Sequence, residues 1–503
     1  MTLSRRRFIE LCGLGAGAAA LAPGLALGNP VFDGFHAARP TQPWLAGWEN
    51  VSAESLPRQA LHVSGKLPEG LAGTFYRNGP ARFERAGFRY HHWFDGDGLV
   101  HAWRIGGGGV THEARFVGTD KYVRESAAGK FVVMAAGTTV PDAVAMRTAD
   151  DFNAANTAVI EHAGRLYALW EGGSAWELDR DTLASRGPKT WREDLAHVAF
   201  SAHPQPDTDG SLWNFGAIAY LEQPKLALWR IGADGTLASF DLVDMPNRGY
   251  VHSFAISARH LVVVVAPMFA DRDAGESFFE SQRWTPEAGS VALVIDKADR
   301  SRIRRFELPA GLAYHFGAAI ERGSRIEMLA CWFADGASTN DEFEAMMRGA
   351  PGKPGGLDAQ LVRLELDLAS GKGRIADTGL GAVDFPVFDT RTDAPRYTWF
   401  AHQGVRNEAN LFDSVARFDA KRGRTASWRY GPHHLVEEHR FVPRPGGSGE
   451  LDGWVVGTAL DWKAGQTVMS VFDAGRFEDG PLAQARLPRS VPLGFHGWFA
   501  PAS

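Results

Sequence analysis

From residue 60 onward the chain is written as short apolar runs cut by glycine, aspartate and asparagine turns. Examples are "GRLYALWEGGSAWELD" (164–179), "KLALWRIGADGTLASFDL" (225–242), "HLVVVVAP" (260–267), "SVALVIDK" (290–297), "AQLVRLELDLASGKGRI" (359–375) and "QTVMSVFDAGRF" (466–477). Runs this short, with turns at "EGGS", "GADGT" and "ASGKG", predict antiparallel hairpins. Hairpins repeated to the end of the chain predict an all-β array, either sandwiches or a propeller. No internal repeat is crisp enough to count blades. At about 40–45 residues per blade, seven blades need roughly 300 residues, so the surplus has to be insertions.

Four segments are candidates for those insertions. Residues 31–60 read as irregular. Residues 124–152 carry "KFVVMAAGTTVPDAVAM", 268–288 carry "DAGESFFESQRW", and 335–356 carry "DEFEAMMRG", a short helix that Gly349 would stop. Gathered on one face, they would form a cap over a site. The chain from 29 to 503 is therefore expected to be one β domain with cap insertions near 31–60, 124–152, 268–288 and 335–356.

Residues 1–28 read differently. Arg5, Arg6 and Arg7 precede a weakly apolar, Ala/Gly-rich run, which resembles a twin-arginine export signal cleaved near 26–28. Export would place the protein in the periplasm. Of the two cysteines, Cys12 falls in that segment and leaves Cys331 alone, so no intramolecular disulfide is expected. A route that exports folded proteins would also allow a metal to be inserted beforehand. The net charge of −6, with no Lys/Arg cluster beyond the first residues, excludes a nucleic-acid surface. No later stretch is long enough to span a bilayer.

Seventeen histidines make any single one weak evidence. Four sit among aromatic and small residues: His203 in "FSAHPQPDTDG", His252 in "YVHSFAIS", His315 in "AYHFGAAIE" and His496 in "GFHGWFAP". No short ligand spacing links them. The axis of a propeller can gather one residue from each of several blades, and neutral imidazoles suit a divalent transition metal. Spacing alone leaves open the alternative of four core histidines bonded to backbone.

The stretches "GTFYRNGPARFE" and "YHHWFDGDGLVHAWRI" (73–105) resemble the fingerprint of the carotenoid cleavage oxygenase family, which includes apocarotenoid and stilbene cleaving enzymes. The likeness continues through "NTAVIEHAGRLYALWEGGSAWELD", "AHPQPDTDGSLWNFG", "VHSFAIS", "FVPRPG" and "GFHGWF". The resemblance implies a seven-bladed β-propeller with a cap of loops and short helices over an axial iron site. It implies one Fe(II) per chain, held by His203, His252, His315 and His496, with Glu171, Asp384 and Glu438 orienting three of those rings. The family usually has Glu where Asp384 stands. Asp is one methylene shorter, so either the backbone moves closer or a water bridges. His91 and His92 are not ligands in this reading. Asp95 and Asp97 are expected to bond backbone amides in a tight turn, and a calcium loop lacks the further oxygen ligands it would need.

The chemistry this implies is oxidative cleavage of a C=C bond by O2 into two carbonyl products, with a carotenoid or apocarotenoid polyene as the favoured substrate. No acid/base residue is required, and no phosphate-binding or dinucleotide glycine pattern is present. No protein partner is implied. The run "FVVMAAGTTV" (131–140) would line the mouth, touch lipid, or make an ordinary cap contact. A stilbenoid or phenylpropene substrate would instead call for a phenol-activating Tyr and Lys. Tyr122 and Lys121 are the candidates, with Phe116 and Arg147 near where such residues are sought. A propeller that only binds an apolar ligand is the non-catalytic alternative.

Overall fold

In the computed structural model, the described residues are 29–219, 221–271, 277–353 and 356–502. The expected export signal, with Cys12, lies outside them. Among these residues seven antiparallel sheets of four to six strands form the blades of a β-propeller. Both chain ends help to close the ring. In the first blade the inner edge is Gly497–Pro501, paired with Gly73–Arg82, and the outer edge is Ser55–Ala60. In the seventh, His62–Gly65 is laid on the outer edge of Ala483–Arg486. Residues 55–60, expected to belong to an irregular segment, are thus strand, and 62–65 follow as a second one. They satisfy edges that would otherwise be open.

The inner strands position the chemistry. Ala158–His162, Gln205–Pro206, Phe254–Ile256, Leu312–Arg322, Val383–Phe388, His434–Pro443 and Gly497–Pro501 each form the inner edge of a sheet or pair onto one. His203, His252 and His496 stand just before three of these strands, and His315 lies near the start of a fourth. Because blades repeat with one polarity, the starts of inner strands meet at one end of the axis. This is how residues up to 293 positions apart in sequence, His203 and His496, converge.

Three of the inner strands break register at functional positions. Ala313 and Phe316 face Trp332 and Ala330. Asp384 and Val387 face Ala401 and Trp399. Val436 and His439 face Ala459 and Gly457. In each case three steps on the inner strand oppose two on its neighbour, a β-bulge that re-aims a side chain. The bulges fall at His315, at Asp384 and at Glu437–Glu438.

The cap is more regular than its sequence. Pro30–Ala38 is a helix whose Asn29 side chain accepts from the Phe32 amide at 2.7 Å. Pro43–Trp48 is a 3₁₀ turn and Asp120–Ala128 a helix ending at Gly129. The helix Ala337–Met347 stops at Gly349 as expected, with φ +75°. A Cβ there would lie 2.7 Å from that of Ala38, so both backbone and packing favour glycine. Trp44, Trp48, Phe131, Phe279, Phe343 and Met347 of the cap share one apolar cluster with Tyr250, Tyr314 and Phe495 of the propeller. The run 131–140 belongs to this cluster: Phe131, Val133 and Val140 are buried. It makes a cap contact rather than a lipid-facing one. No helix of the described residues is long and apolar enough to cross a membrane.

Candidate metal centre

His203, His252, His315 and His496 are all buried and meet on the axis. His203 has ring-centroid separations of 4.5 Å to His252, 5.1 Å to His315 and 4.7 Å to His496. His315 and His496 are 4.7 Å apart. Ligand atoms of His203, His252 and His315 lie within 4.8 Å of one another.

Three rings are tied from behind. His252 Nδ1 is 2.8 Å from Glu171 Oε2, His315 Nδ1 is 2.7 Å from Asp384 Oδ1, and His496 Nδ1 is 3.0 Å from Glu438 Oε1. An ionised carboxylate only accepts hydrogen bonds, so each contact holds a proton on Nδ1 and leaves the Nε2 lone pair facing the axis. The carboxylates are fixed in turn. Glu171 Oε2 accepts from the Tyr250 hydroxyl at 2.7 Å. Asp384 Oδ1 accepts from the Phe385 amide at 2.8 Å, and Glu438 Oε2 from the Gly497 amide at 2.8 Å. The shorter reach of Asp384 is met by the chain itself: the inner strand bulges there and Phe385 takes φ +57°, so no bridging water is needed.

Electrostatics keeps this set in the form a cation prefers. Burial lowers His203, His252 and His496 below the ordinary imidazole range, and for His203 the neighbouring rings add to the effect. Burial alone would raise Asp384 and Glu438. The attraction and hydrogen bond of His315 hold Asp384 low, and Arg440 followed by His496 holds Glu438 low. The result is neutral nitrogen donors at His203, His252 and His496 and ionised acceptors at Asp384 and Glu438.

These residues fit a nitrogen-bound metal. His315 Nε2 is buried and has no hydrogen-bond partner among the described residues. His203 Nε2 and His252 Nε2 face each other at 2.9 Å. Two nitrogens bound at right angles to one ion, with bonds of about 2.1 Å, would stand about 3.0 Å apart.

The family model described as retinal pigment epithelial membrane protein matches residues 48–501. The chain belongs to this family, the carotenoid cleavage oxygenases. It is 27% identical over 496 residues to apocarotenoid-15,15'-oxygenase of Synechocystis, covering 91% of this chain and 96% of that protein. It is 27% identical over 465 residues to isoeugenol monooxygenase of Pseudomonas nitroreducens, covering 88% and 94%. The solved structure of cobalt-substituted Synechocystis apocarotenoid oxygenase superimposes with a TM-score of 0.81 at 25% identity, covering 92% of this chain and 99% of that one.

As in the sequence reading of the family, the centre opens beneath the cap. A cavity of about 880 Å³ reaches His252, His315 and His496. Its walls are mainly apolar and rich in aromatic side chains, with Phe94, Phe152, Trp170, Tyr250, Phe343 and Phe495 among them. Met134, Ala135 and Ala136 of the 131–140 run also line it.

Other expectations resolve as follows. His91 and His92 stand outside the cluster. His92 stacks on Phe279 at 4.7 Å, and burial pushes its pKa down to about 3. Asp95 does accept a backbone amide, from Gly137 at 2.7 Å, and also the Thr138 hydroxyl. Asp97 does not bond an amide as expected. It accepts from Lys121 Nζ at 2.6 Å and from Arg85, because the helix Asp120–Ala128 packs its basic side chain inward. Lys121 and Tyr122 are therefore absent from the cavity, and no lysine lines it among the described residues. Phe116 is buried in the core of the first blade. Arg147 does line the rim and is paired with Asp151. Cys331 is buried and free.

Two residues escaped the sequence. Tyr250, two positions before His252, braces Glu171. Glu437, beside Glu438, accepts from Arg77, Thr458 and the Gly494 amide, and so pins the loop that leads into His496. The "EEH" run reads as a charged surface, which hides this. Removing the charge behind His315 should weaken metal binding without unfolding the blade. Asp384→Asn is expected to lower metal affinity by about 10–100-fold, read by titration of the metal-free protein. Unchanged affinity would mean that Asp384 does not support a ligand.

Proposed function

We propose that the protein is an Fe(II)-dependent dioxygenase that cleaves a C=C bond of a carotenoid or apocarotenoid-type polyene with O2, giving two carbonyl products. The observation that carries this reading is the convergence of four imidazoles, three of them tied to carboxylates, at the floor of a large cavity with many aromatic residues in its walls. His203, His252, His315 and His496 would hold one iron per chain, and Glu171, Asp384 and Glu438 would fix the rings. Iron supplies the redox chemistry that lets O2 react with an alkene. The protein orients the alkene between aromatic walls and excludes water. The balance is simple: the alkene loses its double bond, and each carbon takes one oxygen atom of the same O2.

The second reading, a stilbenoid or phenylpropene substrate, draws on the likeness to isoeugenol monooxygenase. Lys121 and Tyr122, the candidates for activating a phenol, lie away from the cavity, so this reading rests on that likeness and not on those two residues. A purely ligand-binding propeller would not need a complete set of ligands and braces. We further propose peripheral membrane contact at the cavity rim, where Phe278 is 42% exposed. Export to the periplasm is proposed from the Arg5–Arg6–Arg7 motif and the Ala/Gly-rich run behind it, and the N-terminal mass of the cellular protein would test it.

The enzyme reading is tested by loading the metal-free protein with ferrous iron and following O2 uptake with a polyene aldehyde. Close to one iron per chain and O2 consumption that depends on both iron and polyene are expected. Polyene bound without O2 uptake would favour the non-catalytic alternative.

A further inference from the structure

At the rim of the same cavity stands a histidine that the metal centre does not use. His197 lines the cavity and its side chain is 44% exposed. Its Nδ1 lies 2.7 Å from Asp150 Oδ2. Asp150 is buried and strongly fixed. It accepts from the Ser174 amide at 2.7 Å, the Ser174 hydroxyl at 2.8 Å and Asn153 Nδ2 at 3.2 Å. Four donors hold this carboxylate ionised, so the imidazole must present a proton to it. The opposite ring nitrogen, Nε2, is then free of that bond.

The backbone is bent to make this pair. His197 has φ +66°, a left-handed conformation that costs a non-glycine residue free energy and persists only where its surroundings enforce it. Across the contact, Gly173 has no room for a side chain: a Cβ would lie 2.4 Å from Asn153 Nδ2 and 2.9 Å from Asp150 Oδ1. The turn "EGGS" therefore serves two sites at once. Glu171 at its start braces His252, and Ser174 at its end fixes Asp150. Between them the wall is aromatic, with Trp170 edge-on to Phe152 at 4.9 Å.

From this arrangement we infer that His197, oriented by Asp150, binds a terminal carboxylate of the substrate, so that the cavity selects a polyene acid over its uncharged counterpart. This inference rests on the polyene reading above. The charged groups facing the ring are Asp150, Asp151 and Asp120, with Arg124 and Arg147 paired to Asp151. The hydrogen bond that the ring donates to Asp150 is the main influence, and it raises His197 above the ordinary imidazole value despite partial burial. The ring thus keeps its second proton further up the pH scale than a free histidine. Selection for a carboxylate should be full below that raised value and fade as pH rises through it.

The test is binding rather than turnover. Retinoic acid and its methyl ester serve as probes, with quenching of the tryptophans that line the cavity, Trp93 and Trp170, as the readout. In the wild-type protein the acid should bind about tenfold more tightly than the ester, the low end for a charged hydrogen bond because the rim is open to solvent. His197→Gln, whose amide can still donate to Asp150, should abolish the preference by lowering acid affinity to that of the ester. His197→Lys, which restores a cation, should recover part of it. Equal affinities in the wild type, or a preference that survives in His197→Gln, would overturn the role of His197 and leave the polyene reading intact. Failure of both probes to bind the wild-type protein would overturn both together.

Discussion

Replacing His252 with alanine should strip the protein of metal and of activity together. His252 Nε2 lies 2.9 Å from His203 Nε2, and its Nδ1 is held by Glu171. The substitution removes one of four nitrogen donors and leaves Glu171 and Tyr250 without the ring they orient. Loss of a supporting carboxylate typically costs about 10–100-fold in metal affinity, and loss of the ligand itself should exceed that. Metal content should fall well below one per chain and turnover below detection. The metal-free wild type is the right comparison for stability, since the fold around His252 is supported by packing of Tyr250 and Tyr314 in the shared apolar cluster. Full activity in His252→Ala would refute the ligand assignment.

The second large effect is on stability and falls at a cluster outside the cavity lining. Lys121 is about 1% exposed and sits between Asp97, at 2.6 Å, and Glu125, at 3.0 Å. Burial alone would lower its pKa, but the two carboxylates more than reverse this and hold the ammonium charged. Glu125 Oε1 also accepts from the amides of Val132 and Val133, so the cluster ties the cap run 131–140 to the first blade. Lys121→Met would leave two carboxylates facing each other in a dry interior. Breaking a buried pair in this way costs about 3–5 kcal/mol, and denaturant unfolding should show a loss of that order. The folded fraction should keep its turnover, because Lys121 does not line the cavity. A lysine that activated a phenol would behave in the opposite way, with stability kept and turnover of a hydroxystilbene lost.

These two sites mark the limits of what the sequence discloses. The hairpins were legible because turn residues punctuate strands locally. The four histidines stood out by their apolar surroundings, but nothing local says that inner strands start at one end of an axis. The resemblance to carotenoid cleavage oxygenases supplied that. The three bulges were invisible, since a one-residue slip depends on the neighbouring strand. For this reason the direct 2.7 Å contact from the shorter Asp384 could not be anticipated. Lys121 and Glu125 are four apart on a helix, a spacing that normally marks a solvated pair. Only the run packed over the helix turns it into a buried cluster. The helix Pro30–Ala38 carries local signals, an asparagine cap and a proline at its first position, within a segment whose composition otherwise looks irregular.

The account stands or falls on where the oxygen goes. The iron-loaded protein should be given an apocarotenal under heavy-isotope O2. The products should be reduced at once to alcohols, so that their oxygen no longer exchanges with water, and then weighed. The account predicts two fragments from one scissile double bond, each carrying the label at its new terminus. No cleavage, or label confined to one fragment, would contradict a dioxygenase that divides one O2 between the two carbons.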